Sequence, residues 1–247
     1  MARFFIAPEQ VQGSEIIITG EDVNHISKVL RFAVGDQLTL VDGQGLEYIV
    51  EIVSQTKSEV KTKILQQFSS NTEAKLKLTL VQGLVKGEKM DWIVQKATEL
   101  GVHRIIPVAT ERTIVKVDDK KGNQKVERWQ KIAVEASKQC RRSVIPQVAP
   151  ISSLQEIFSA VPESALAIIP WEEEKSTGLK GALNRGNFPE IFVFIGPEGG
   201  FTSLEVEMGK TKGVIPVTLG PRILRAETAA VTVASAVMYH WGELGGC

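Results

Sequence analysis

Two short segments of the chain set chemically capable residues at fixed spacing. The first runs from Ile195 through Gly196, Pro197, Glu198, Gly199 and Gly200 to Phe201 and Thr202. It follows an apolar run that ends at Ile195 and precedes Thr202-Ser-Leu-Glu205, the spacing of a capping box that opens a helix. Glycines at such a junction let main-chain groups approach a ligand closely. Open α/β sheets hold their ligands at the carboxyl ends of the strands, where this turn would lie. Taken alone, the same residues also make an ordinary strand–helix turn. The G-x-G-x-x-G spacing of dinucleotide sites and the lysine of a P-loop are both missing, so those readings lose ground.

The second segment is Val217-Thr-Leu-Gly-Pro-Arg-Ile-Leu-Arg-Ala-Glu-Thr-Ala229. Arg222 and Arg225 flank Ile223 and Leu224. Either the aliphatics face a pocket with the arginines at its rim, or they are core and both arginines are solvated. Small residues at 226, 229, 230, 234 and 236 would let the following helix pack closely, in the core or across a dimer.

The elements that must position these segments follow from periodicity. Glu15–Thr19, Gln37–Val41, Gly45–Val53 and Val60–Ile64 alternate apolar and polar residues, which predicts short strands, with a hairpin cue at Asp42-Gly43 and Gly45. A short helix is expected over Asp22–Arg31, and Gln66–Thr72 reads as a polar linker. Beyond it Leu76–Gln82 predicts a strand. Met90, Ile93, Val94, Ala97 and Leu100 then fall at helical spacing, closed by Gly101. Arg104–Val108, Ala165–Ile169 and Ile191–Ile195 read as strands, the last two apolar throughout as if covered on both faces. A long helix is expected from about Gln124 to Cys140. The resulting class is α/β, with a small β-barrel or open sheet over residues 1–70 and a parallel α/β sheet over residues 74–247.

Composition bounds the function. A chain of 247 residues, 43% hydrophobic and 23% charged, can bury a core in each of two modest domains. Its beginning is too short an apolar run for a signal peptide, and Ala226–Met238 falls short of a membrane span. Cys140 and Cys247 lack zinc-site spacing, and with no disulfide framework a reducing, cytoplasmic location is expected. Net charge is zero, but residues 71–140 carry 14 Lys and Arg against 9 Asp and Glu. That local excess suits either phosphate contacts or a solvated helical face.

The two motifs, in this order, resemble the small-subunit ribosomal RNA uracil-N3-methyltransferases, a family of SPOUT type. The resemblance extends to Lys89-Met-Asp-Trp-Ile-Val-Gln-Lys-Ala-Thr-Glu-Leu-Gly-Val102, Glu111-Arg112, Glu127–Lys131 and Glu135–Gln139 with Arg142 and Pro146. It continues in Arg3-Phe-Phe and His25-Ile-Ser-Lys-Val-Leu-Arg31, and so covers nearly the whole chain. Thr113, Cys140, Arg141 and Ala226 depart from the family pattern, and Trp171 lies in a loop that varies.

The resemblance implies an N-terminal PUA-like β-barrel, a SPOUT α/β trefoil-knot methyltransferase domain and a homodimer. It implies S-adenosylmethionine as cofactor, leaving S-adenosylhomocysteine, with no metal. The cofactor pocket would comprise Ile169 and Pro170; Ile195, Gly196, Gly199 and Gly200; and Leu219, Gly220, Ile223 and Leu224. Main-chain groups of Leu219 and Leu224 would read the adenine edge. The substrate would be uracil-1498 of 16S rRNA within the 30S subunit; neither DNA nor a membrane is an expected partner. Uracil N3 must lose or share its proton, so a cation near the carbonyls would help. Arg225 is the candidate, with Glu198 or a water as proton acceptor. Arg3, His25, Lys28, Arg31, Arg112, Arg142 and Arg222 are the expected RNA contacts. Another SPOUT methyltransferase, acting on a different RNA or on ribose 2′-oxygen, is the alternative enzyme. A non-catalytic RNA-binding assembly factor is the alternative outside enzymes.

Overall fold

The computed structural model describes residues 2–113 and 119–245, which leaves Cys247 outside the described residues. The chain divides into two compact units, residues 1–73 with 137–145, and residues 74–136 with 146–247.

In the first unit, β1 (Arg3–Phe5), β2 (Val11–Gln12), β3 (Glu15–Thr19), β4 (Gln37–Val41), β5 (Leu46–Gln55) and β6 (Glu59–Ser69) form one sheet in the order β1-β4-β5-β6-β3-β2. Only the β1–β4 pair is parallel. The hydrogen-bonded path among the described residues has β1 and β2 as its edges, so of the expected small barrel or open sheet it is a six-stranded open sheet. Alternation places Ile16, Ile18, Leu38, Leu40, Val50, Ile52 and Val60 in one apolar core. Register shifts in β5 at Ile49/Val50 and Ile52/Ser54 are the kind of irregularity that bends a strand.

Two expectations change here. The linker expected from Gln66 is instead the end of β6, where Gln66, Gln67, Phe68 and Ser69 pair with Ile49, Tyr48, Glu47 and Leu46. The ladder is made by main chain, and a mostly polar stretch with a single apolar residue, Phe68, gave no alternation to reveal it. The helix is α1 (Glu21–Asn24) continued by a π-helical turn over His25–Val29, and Arg31 lies beyond it at φ +55°. Lys28 and Arg31 therefore do not share a regular α-helical face.

Residues 137–145 join this unit through charge. Arg142 is buried, and its guanidinium donates to Glu73 Oε2 from Nε at 3.1 Å and from an η nitrogen at 2.8 Å. Glu73 Oε1 accepts the main-chain N–H groups of Ser143 and Val144 at 2.8 and 3.1 Å.

The second unit is a parallel sheet covered on both faces. Its strands are β7 (Lys77–Gly83), β8 (Arg104–Ala109), β9 (Gln147–Val148), β10 (Ser152–Ser153), β11 (Leu166–Pro170), β12 (Glu190–Ile195) and β13 (Ile215–Val217). They are ordered β10-β8-β7-β12-β11-β13, with β9 also on β8, and every pairing is parallel. Ile191, Val193 and Ile195 of β12 enter one core with Leu78 and Leu80, while Phe192 and Phe194 enter the opposite core with Val81 and Ile169. The helices are α2 (Lys89–Glu99), α3 (Asp119–Cys140), α4 (Leu154–Ala160), α5 (Leu179–Leu183), α6 (Ser203–Lys210) and α7 (Ala226–His240). Gly101, at φ +86°, takes the left-handed position just after α2. Small residues let α7 pack directly on α2. No helix among the described residues is long and apolar enough to cross a membrane.

The Arg142–Glu73 pair generates a stability prediction. Arg142→Met strands the Glu73 carboxylate and should lower unfolding free energy by about 3 kcal/mol in denaturant titrations. Unchanged stability with weakened RNA binding would make Arg142 a surface contact instead.

Candidate active site

Because β7, β12, β11 and β13 are adjacent and parallel, their carboxyl ends share one edge of the sheet. Three loops leave that edge together and bound a cleft of about 380 Å³. The β11 loop contributes Pro170, Trp171 and Glu172, and the β12 loop contributes Ile195 to Phe201. The β13 loop contributes Leu219, Gly220 and Arg222 to Arg225. Lys89 at the start of α2 and Ala226 and Ala229 of α7 complete the lining.

The glycine turn is tight for identifiable reasons. A Cβ on Gly196 would come within 3.0 Å of Gly200 main chain, and one on Gly83 within 2.7 Å of Pro197. Gly200 sits at φ +66°, with the Glu172 carboxylate 3.0 Å from where a Cβ would stand. Beyond the turn Thr202 caps α6, and its hydroxyl accepts the Glu205 N–H at 3.3 Å. The buried Glu205 carboxylate accepts the Thr202 N–H and the Glu111 N–H, each at 2.8 Å. Arg112 donates to the Gly199 carbonyl at 2.8 Å. The segment Glu111–Arg112 is thus pinned against the glycine turn, an arrangement that a capping-box reading could only half anticipate.

Glu198 lies at the cleft rim. Its Oε1 accepts the Lys86 N–H at 3.0 Å and the Lys89 ammonium at 3.4 Å. Partial burial pushes the carboxyl up. The hydrogen bonds from Lys86 N–H, its own N–H and Lys89 more than reverse this, leaving it below the ordinary carboxylate range. Arg225 occupies the N-cap position of α7 in extended conformation, with no capping bond from its side chain. Arg222, Ile223 and Arg225 are exposed and Leu224 is half-buried, so of the two arrangements open for this segment the one around a pocket is present. Gly220, at φ +100°, permits the turn before Pro221.

The structure brings together Pro170, Ile195, Gly196, Glu198, Gly199, Gly200, Leu219, Gly220, Arg222, Ile223, Leu224 and Arg225 around one cleft. Ile169 does not join them, since its side chain is buried in the core beside Phe194. Among the expected RNA contacts, His25, Lys28 and Arg31 are exposed, and His25 meets Phe4 edge-on at 5.6 Å. Arg3 instead makes a bidentate pair with buried Glu47 at 2.9 and 3.0 Å, and Arg142 is held by Glu73. Their charges are spent inside the first unit. Lys89, Trp171 and Glu172 line the cleft but were not among the expected site residues, because only long-range packing brings them there.

The family description "RNA methyltransferase domain" matches residues 72–238, and "RNA methyltransferase PUA domain" matches residues 18–65. This chain belongs to the RNA methyltransferase family. Among relatives of this methyltransferase, ribosomal RNA small subunit methyltransferase E of Bacillus subtilis is 37% identical, over 100% of this chain and 99% of that protein. The Synechocystis protein of the same name is 34% identical over 95% of this chain and 76% of its own length. The crystal structure of the Neisseria gonorrhoeae ribosomal RNA small subunit methyltransferase E bound to S-adenosyl methionine superposes with a TM-score of 0.86. It is 31% identical and covers 98% of each chain.

Arg112→Ala should speed amide exchange across residues 199–202 of this methyltransferase, because the Gly199 carbonyl loses its donor. As an exposed side chain it should shift global stability by no more than about 0.5 kcal/mol. Unaltered exchange with weaker RNA binding would return Arg112 to a phosphate-contact role.

Proposed function

We propose that the chain uses S-adenosylmethionine to methylate uracil N3 at one position of small-subunit ribosomal RNA, uracil-1498 of 16S rRNA. The observation that carries this reading is the cleft itself: a glycine turn and two aliphatic walls beneath a rim bearing two arginines. Full-length likeness to proteins named for small-subunit ribosomal RNA methylation supports the substrate class.

The residues present fit the cofactor. Gly196 and Gly200 line the cleft, and the lack of a Cβ at each lets the turn fold back tightly there and bring its main chain to the cleft surface. Leu219 and Leu224 give an apolar wall, and their main-chain groups have no partner among the described residues. An apolar slot with a few convergent polar groups is the usual form of a nucleoside site. When bound, S-adenosylmethionine supplies an electrophilic methyl group on a sulfonium.

The chain's own residues then have two tasks. The target base must be unpaired, because N3 lies on the Watson–Crick edge. Arg225 is exposed at the cleft, where its guanidinium can hold the charge that grows on the uracil carbonyls as N3 loses its proton. Of the two proton acceptors, water is favoured over Glu198, whose carboxylate already serves two donors and is a weakened base. Arg222 stands beside Arg225 as a phosphate or base contact.

The reading extends to a trefoil knot in the second unit, a homodimer, and action on the 30S subunit in the cytoplasm. The first unit, residues 1–70 in the sequence reading, serves as a PUA-like RNA-binding domain. Exposed His25, Lys28 and Arg31 are its contacts, with half-buried Arg3 and buried Arg142 engaged instead by Glu47 and Glu73.

Methylation of isolated small subunits, followed by nucleoside analysis, tests the assignment. N3-methyluridine is expected, and ribose methylation would contradict it. Arg225→Lys keeps charge but loses the planar fork. Its single-turnover rate should fall at least tenfold with cofactor affinity nearly unchanged, and should recover partly at higher pH as more uridine is already deprotonated. A rate equal to wild type would remove Arg225 from the chemistry.

A further inference from the structure

Lys89 opens α2, and its ammonium stands between two carboxylates. Glu198 Oε1 of the glycine turn is 3.4 Å away, and Glu227 Oε2 in the first turn of α7 is 3.8 Å away. The Glu227 oxygen is closed off from solvent and accepts no hydrogen bond among the described residues. A buried carboxylate oxygen without a donor is costly unless a cation stands beside it. Lys89 supplies that cation while also lining the cleft. The Lys86 N–H, on the chain just before α2, bonds the same Glu198 oxygen at 3.0 Å.

The cluster therefore ties three segments that are distant in sequence. Glu198 belongs to the wall formed by the glycine turn. Glu227 follows Arg225 by two residues, on the helix that continues the opposite wall. A lysine with three donors on a flexible stem can serve both carboxylates at once. Without it, two carboxylates face each other across the junction, and their repulsion would drive the walls apart.

We propose that Lys89 is a positioning residue that sets the spacing of the two cleft walls by acting through Glu198 and Glu227. This rests on the reading of the cleft as the cofactor site. Because the spacing governs how the walls close on a ligand, loss of Lys89 weakens cofactor binding more than it slows turnover of the bound complex.

The test compares wild type, Lys89→Met, Lys89→Arg and Lys89→Met/Glu227→Gln by calorimetry with S-adenosylmethionine and by single-turnover methylation of small subunits. Lys89→Met should weaken cofactor affinity about tenfold, with the saturated rate within about threefold of wild type. Lys89→Arg should keep most of the affinity. Adding Glu227→Gln should restore part of what Lys89→Met loses, because it removes the stranded charge, so the two changes are non-additive. The double variant strands no buried charge and keeps the test open should Lys89→Met alone fail to fold. Wild-type affinity in Lys89→Met, or strictly additive losses, would overturn the proposal. Failure of the wild-type protein itself to bind S-adenosylmethionine would instead remove the functional reading beneath it.

Discussion

The parallel pairing of β12 with β7 on one side and β11 on the other governs the rest of the structure. It sends the carboxyl ends of β11, β12 and β13 to one edge, so that loops separated by tens of residues in sequence meet around one cleft. An antiparallel β12 would put its glycine turn on the opposite edge, away from both other loops. The pairing also explains why the turn must be small. Gly83, the last residue of β7, lies under Pro197 with no space for a Cβ, and Gly196 folds back against Gly200 in the same way. Burial on both faces of β12 stabilises this placement. A strand with Ile191, Val193 and Ile195 on one face and Phe192 and Phe194 on the other cannot slip by one residue without exchanging two packed sets.

Charge is partitioned with equal consequence. In the first unit, Arg3 and Arg142 neutralise Glu47 and Glu73, which makes them internal ties and leaves His25, Lys28 and Arg31 as the exposed basic groups of the expected set. At the cleft, Lys89 is engaged by Glu198 and Glu227, whereas Arg222 and Arg225 face outward without a carboxylate partner among the described residues. The cleft thus presents an apolar interior and a cationic rim. That division suits a nucleoside-bearing cofactor below and a polyanionic substrate above.

Much of this was legible in the sequence, for reasons that also mark where legibility ends. Uninterrupted apolar runs such as Ile191–Ile195 announce strands buried on both faces, and Thr202 with Glu205 announces a helix start. Both are local signals, and both are present in the structure. Gly196–Gly200 and Leu219–Arg225 stood out through their resemblance, in this order, to the family's motifs, since the glycine turn alone reads equally as an ordinary strand–helix connection. The end of β6 was not, since Gln66 to Ser69 pair through main chain and carry one apolar side chain, Phe68, among polar ones, with no alternation to mark a strand. The pairing of Arg3 and Arg142 was not legible for a related reason. A charged residue in a sequence does not disclose the carboxylate that will bury it, and Glu47 and Glu73 lie 44 and 69 residues away respectively. Lys89 shows the same limit from the other side, as an ordinary helix-opening lysine whose two partners are brought in only by the sheet.

The central claim is that three loops at one sheet edge form a single ligand site. Its most direct test is a backbone amide NMR titration of the full chain with S-adenosylmethionine. Shifts should concentrate in residues 170–172, 195–201 and 219–225 and saturate with one common affinity. Shifts confined to one of these segments, different affinities among them, or a response centred on the separate groove between α5 and the end of α7 would contradict it.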